Sequence, residues 1–297
     1  MANSPNFTII DAPSILGLWP SGVEMLPVAL KSAGLMQRLN ASYGGKVPPL
    51  PFSEDRDPDT LIRNGESIRV YSQHLADVVN PLVQEGAFPI VLGGDCSILI
   101  GTMLGLRRVG HYGLFFLDGH SDFYNAEAEP HGEVASMELA ILTGRGPEIL
   151  THIEGLQPLV DDRDVVVFGF RDAEGSSGEG SQDIRDTSIR AYDIDQVRKP
   201  DVETVAKEAL EYLEDNDVQG FWIHLDADVL NDDIMPAVDY RMPDGLTYKE
   251  LTSVLKLLIA SGKAVGMTIT IFNPTLDHDG SIAQHLIDSI VKGLSEE

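Results

Sequence analysis

Short runs of Val, Ile, Leu and Phe alternate along this chain with longer stretches in which apolar residues recur every three or four positions. The short runs read as strands buried on both faces, at 7–10, 89–92, 113–117, 165–168, 221–225 and 264–271, with a weaker one at 190–192. The longer stretches read as helices at 22–39, 60–85, 97–107, 134–143, 202–215, 247–261 and 281–293. Alternation of the two predicts βαβ units, and so an α/β fold on a parallel sheet. The punctuation agrees: Ser97 and Thr247 stand at helix starts, Thr247 three residues before Glu250 as in a capping box, and Gly262 and Gly293 stand where helices are expected to stop.

Three polar or turn-rich loops interrupt the alternation, at 48–59, 172–186 and 231–245. Parallel sheets bind ligands outside the carboxyl ends of their strands, which is where these loops fall, and the middle one reads as a cover over a site. With no internal repeat and no linker, one domain over 1–297 is expected.

Composition narrows the class. No run reaches the eighteen apolar residues of a membrane span, and the polar N-terminus lacks a signal peptide's basic start and apolar stretch, so a cytoplasmic protein without a membrane partner is expected. The single cysteine, Cys96, cannot form an internal disulfide. A net charge of -26 repels nucleic acid and anionic membranes and suits metal ions or a cationic small molecule.

Two carboxylate clusters give that charge a chemical use. Asp118-Gly119-His120-Ser121-Asp122 follows the run at 113–117, and Asp226-Ala227-Asp228 follows the run at 221–225. In extended chain alternate residues point the same way, so each strand end sends several potential ligands in one direction. Four carboxylates in one cavity raise each other's pKa and cannot all ionise without cations between them. Oxygen ligands with one imidazole favour Mn over a dedicated zinc site, and bridging carboxylates favour two ions.

These motifs, with Gly93-Gly94-Asp95-Cys96-Ser97 before them and segments such as Gly169-Phe170-Arg171-Asp172 and Gly245-Leu246-Thr247 after, resemble the ureohydrolase superfamily of arginases, agmatinases and formiminoglutamases over most of the chain. The resemblance implies a three-layer α/β/α sandwich on a mostly parallel eight-stranded sheet. It also implies a small-molecule substrate and a homo-oligomer, a trimer or hexamer. Carried over, Asp118 and Asp226 bridge two Mn(2+) ions, His120 and Asp228 complete one, and Asp122 joins the other. Asp172 and Glu174 are placed to bind a substrate ammonium group, and His131 to shuttle protons, although the register around 137–140 puts Ala135 in the shuttle's place instead.

Three positions depart from the superfamily. Cys96 stands where a ligand histidine is usual, either as a thiolate ligand or as a small buried hydrophobe. Ile271 stands two residues before Asn273-Pro274, where a glutamate usually meets the guanidinium. His224 stands where serine is common, as support for a ligand or as packing. The expected function is a binuclear Mn hydrolase that cleaves a linear non-peptide C–N bond of a guanidino, amidino or formimino compound through a hydroxide bridging the ions. The alternative is a catalytically reduced protein that keeps the scaffold and part of the metal site.

Overall fold

The computed structural model describes residues 5–172 and 180–295. Among them, eight strands form one sheet: β1 (Phe7–Ala12), β2 (Ser42–Lys46), β3 (Phe88–Gly93), β4 (Gly113–Leu117), β5 (Val165–Phe170), β6 (Arg190–Asp193), β7 (Phe221–Asp226) and β8 (Ala264–Thr270). Their order is β2-β1-β3-β8-β7-β4-β5-β6. Every pairing is parallel, so the sheet is wholly rather than mostly parallel.

The strand runs are continuously apolar because both faces are covered. Successive residues go to opposite cores: Ile9, Ile90, Phe115 and Ile223 face one cluster, Ile10, Val91, Phe116 and Trp222 the other. The first cluster is closed by helices Leu26–Ser32, Val202–Glu214, Tyr248–Ala260 and Ser281–Leu294, the second by Gly65–Gln84, Ile98–Arg107 and Glu138–Leu142. These are the three layers the resemblance implies. None of these helices is long and apolar enough to cross a membrane.

The differences from expectation have local causes. β2 reads Ser-Tyr-Gly-Gly-Lys, an exposed edge strand with no apolar pattern to reveal it. The single helix expected at 22–39 is broken into a 3-10 turn and two short helices, the second starting after Gly34 at φ 99. The helix expected from residue 60 starts only at Gly65, since Leu61 and Asn64 hold φ 62 and 55. Thr247 makes its capping box and Gly262 follows its helix with φ 68. Ser97, by contrast, makes no side-chain cap; the Asp95 carboxylate accepts from its backbone N–H instead. Gly293 lies inside its helix rather than after it, and it is glycine for close packing, since a Cβ there would come within 2.6 Å of Leu255 Cβ.

Candidate metal centre

The four central strands, β3, β8, β7 and β4, end at one cavity. Cys96 follows β3, the 118–122 loop follows β4, Asp226 ends β7 and Asp228 follows it, and Ile271 follows β8. The chain crosses the sheet between β3 and β4, and the return through β7 and β8 fills the gap, which is the kind of switch point where α/β proteins place ligands. The cavity holds about 290 Å³ and is lined by residues that include Cys96, His120, Asp122, His131, Asp172, Asp226, Asp228 and Ile271.

Each loop is locally fixed. Gly94 has no Cβ because one would sit 1.7 Å from the Ser14 carbonyl oxygen, which instead accepts from Asp95 N–H. The fully buried Asp95 carboxylate accepts from the backbone of Gly17 and Ser97, so Asp95 holds the Cys96 turn rather than facing the cavity. Asp118 Oδ1 accepts from His120 N–H, and Asp226 Oδ1 accepts from Asp228 N–H. β4 stops at Leu117 and Asp122 takes φ 44, so His120 and Asp122 diverge to two sides of Asp118 through a turn, not by the alternation of extended chain. Asp and Asn tolerate that left-handed conformation better than most residues.

Three groups of potential ligand atoms result, each with every atom within 4.8 Å of the others: Asp118, His120 and Asp228; Cys96, Asp118, His224 and Asp226; and Cys96, Asp118, Asp122 and Glu138. Asp118 belongs to all three. Asp226 joins Cys96 and does not enter the His120 group. Glu138 was not foreseen from the sequence, though an acid inside the apolar run Val134-Ala135-Ser136-Met137-Glu138-Leu139-Ala140-Ile141-Leu142 is a signal for it.

Several of these groups lack partners. Asp118 Oδ2, both Glu138 oxygens and both His224 ring nitrogens are fully buried with no hydrogen bond. His224, set opposite Phe116 by the β4–β7 register, stacks on that ring at 4.6 Å and points Nε2 at Asp118 Oδ2 from 3.7 Å, beyond hydrogen-bonding range. An unpartnered buried polar atom costs about 1–3 kcal/mol. A divalent cation is the partner that would satisfy oxygens, nitrogen and sulfur together, so the donor set fits metal.

The electrostatics agree. Burial, then the neighbouring carboxylates, push Asp226 and Asp122 well above the usual carboxylate range. Burial works against an Asp118 carboxylate too, but the imidazoles beside it hold its pKa below the ordinary value. Burial likewise opposes an imidazolium at His120, yet Asp228, 3.0 Å from Nδ1, and Asp118 raise its pKa well above normal.

The other expected residues fall around the mouth. His131 is exposed on the rim, and Ala135 lines the same cavity from the wall, so both alternatives for the shuttle position face it. The 129–133 loop is pinned by Glu129 Oε2, which accepts from the backbone of His131 and Glu133. Asp172 lines the cavity while its two oxygens accept from Ser121 N–H and Oγ–H, bracing the 118–122 loop. Glu174 lies outside the described residues. Tyr240, another lining residue not foreseen, donates to buried Glu133 at 2.9 Å and packs its ring edge against His120.

The arginase family model matches residues 6–294. An arginase of Bacillus subtilis strain 168 is 32% identical over 96% of this chain and 97% of its own. The solved arginase of Bacillus caldovelox superposes with a TM-score of 0.88 at 29% identity, covering 99% of both chains. A formimidoylglutamase of Bacillus subtilis shares the fold at TM-score 0.75 and 18% identity, covering 99% of this chain and 88% of its own. Family membership implies a binuclear divalent-metal site, and the cavity brings together candidate ligand clusters. The chain belongs to the arginase family.

Proposed function

We propose that this protein is a Mn-dependent hydrolase of linear non-peptide C–N bonds in guanidino, amidino or formimino compounds. The observation that carries the reading is the convergence of three strand ends on Asp118, with unpartnered donors on either side of it. Asp118, Asp226, His120 and Asp228 would hold one ion, and Cys96, Asp118, Asp122 and Asp226 the other. Bound there, the two ions supply Lewis acidity and make water nucleophilic at neutral pH.

The chain's own groups divide the remaining work. Asp122 faces the cavity, where it would take the proton released by the attacking water and return it to the leaving amine. His131 on the rim exchanges that proton with solvent. Asp172 takes a substrate ammonium group at the mouth. Ile271 presents an apolar wall where a carboxylate would clamp a guanidinium, which points to a substrate whose reacting end is less cationic than a plain guanidine.

A catalytically reduced protein that keeps the scaffold and only part of the metal site is the weaker reading, since an incomplete site leaves some of the unpartnered buried atoms of Asp118, Glu138 and His224 with nothing to offset their cost. Screening Mn-loaded protein with guanidino, N-hydroxyguanidino and formimino compounds for urea, hydroxyurea, formamide or ammonia tests the proposal. Metal-dependent release from one class supports it; no turnover of any class by protein with two bound ions overturns it.

A further inference from the structure

We propose that Glu138 is itself a metal ligand, and that it joins Cys96, Asp118, Asp122 and Asp226 on the ion beside Cys96. This rests on the metal-centre reading above and adds to it a residue outside the three strand-end motifs.

Glu138 opens the helix Glu138–Leu142, just after the 3-10 turn Val134–Ser136. Its side chain is fully buried at 0% exposure, among residues that otherwise pack into the core. Neither oxygen has a hydrogen-bond partner. Around it lie the carboxylates of Asp122, Asp118 and Asp226 and the Cys96 thiol. A glutamate is rarely left fully buried without a partner.

The distances suit coordination. One atom each from Cys96, Asp118, Asp122 and Glu138 lie within 4.8 Å of one another. An ion with ligands at about 2.0–2.3 Å spans opposite ligands about 4.0–4.6 Å apart, so a single ion can reach all four after small adjustments. These three carboxylate oxygens and one sulfur form a mixed hard and soft set.

The competing arrangement is a proton shared between the Asp122 and Glu138 carboxyls. That proton satisfies one of the two Glu138 oxygens and leaves the other, and Asp118 Oδ2, without partners. A cation satisfies more of the unpartnered atoms at once.

Glu138→Gln separates the two, because an amide copies the shape and donor capacity of the neutral acid but is a poor metal ligand. Metal-free wild type and Glu138→Gln are titrated with Co(2+), following bound cobalt by calorimetry and the near-ultraviolet thiolate-to-cobalt band that reports the ion at Cys96. The expected result is two ions per wild-type chain and, in the variant, loss of at least about tenfold in affinity for one of them, the one that carries any thiolate band. Two ions bound by the variant at wild-type affinity would overturn the proposal in favour of the shared proton. Failure of the underlying reading shows separately, as wild type that binds no ion. Should the variant not fold, anomalous diffraction from Co-loaded wild-type crystals decides: a Glu138 oxygen within about 2.3 Å of an ion supports ligation, and one held away from both ions refutes it.

Discussion

Cys96 Sγ stands 2.7 Å from Asp226 Oδ2, joining the turn after β3 to the end of β7 across the intervening strand β8. Thr270, the last residue of β8, completes the junction: its Oγ1 is 3.1 Å from the sulfur and 3.3 Å from the same Asp226 oxygen. Burial, then the surrounding carboxylates, push the Cys96 thiol well above its ordinary range, so without a cation the sulfur keeps its proton and donates it. A metal entering this place must displace that proton.

Replacing Cys96 tests what the displaced proton is worth. Cys96→His is expected to raise Mn affinity at one of the two ions, since imidazole suits Mn better than thiolate does. Calorimetric titration of both proteins with Mn and Zn measures it. Equal Mn affinity in wild type and variant would assign Cys96 to packing alone.

Asp118 is the residue common to all three ligand groups. Asp118→Asn is therefore expected to remove both ions and to lower turnover by more than about a thousandfold, the scale set by several kcal/mol of lost Lewis-acid stabilisation. Metal analysis and steady-state kinetics on the same preparation check it. A variant that retains two ions would contradict Asp118 as the shared ligand.

Metal-free protein is expected to lose stability as pH rises. The Asp122, Asp226 and Glu138 carboxyls have folded pKa values well above their unfolded ones, so the native state binds more protons than the unfolded state above about pH 4. Their stabilising contribution is present at acid pH and is lost as pH rises toward the folded values. His120, raised above its ordinary value, acts in the same direction through neutral pH. Thermal melts in chelator should therefore show a lower midpoint at pH 7.5 than at pH 5. Mn at a hundred times its Kd restores about 2.7 kcal/mol per ion bound at pH 7.5. A metal-free midpoint that climbs from pH 5 to pH 7.5 would contradict this assignment.

Ile271 is buried in the cavity wall and holds φ 66, an unusual conformation for a β-branched residue, with its N–H given to the Gly94 carbonyl. Ile271→Glu is expected to lower KM for guanidinium substrates by tenfold or more, about the worth of one charged hydrogen bond. Comparing kcat and KM for a guanidino and a formimino compound reads the change. An unaltered preference would mean that this wall does not meet the reacting group.

The strands were legible because both sheet faces are buried, which makes each one a continuous apolar run; β2, exposed at the edge, had no such pattern. Helix breaks at Gly34 and before Gly65 were not legible, since they depend on positive φ at particular residues, among them a leucine that no local rule would choose. The carboxylate motifs could be read directly, because they sit at strand ends where the fold must bring them together. Glu138 could not, because its meaning comes from facing Asp122 across a turn, and periodicity only shows an acid in an apolar helix. His224 was noticeable by position, but that both its nitrogens lack partners is a property of packing.

Metal analysis of the purified chain after loading with Mn and removal of free ion is the most direct test of the central claim. Two ions per chain, lost on Asp118→Asn, are predicted. A wild-type chain that holds no ion would contradict the account.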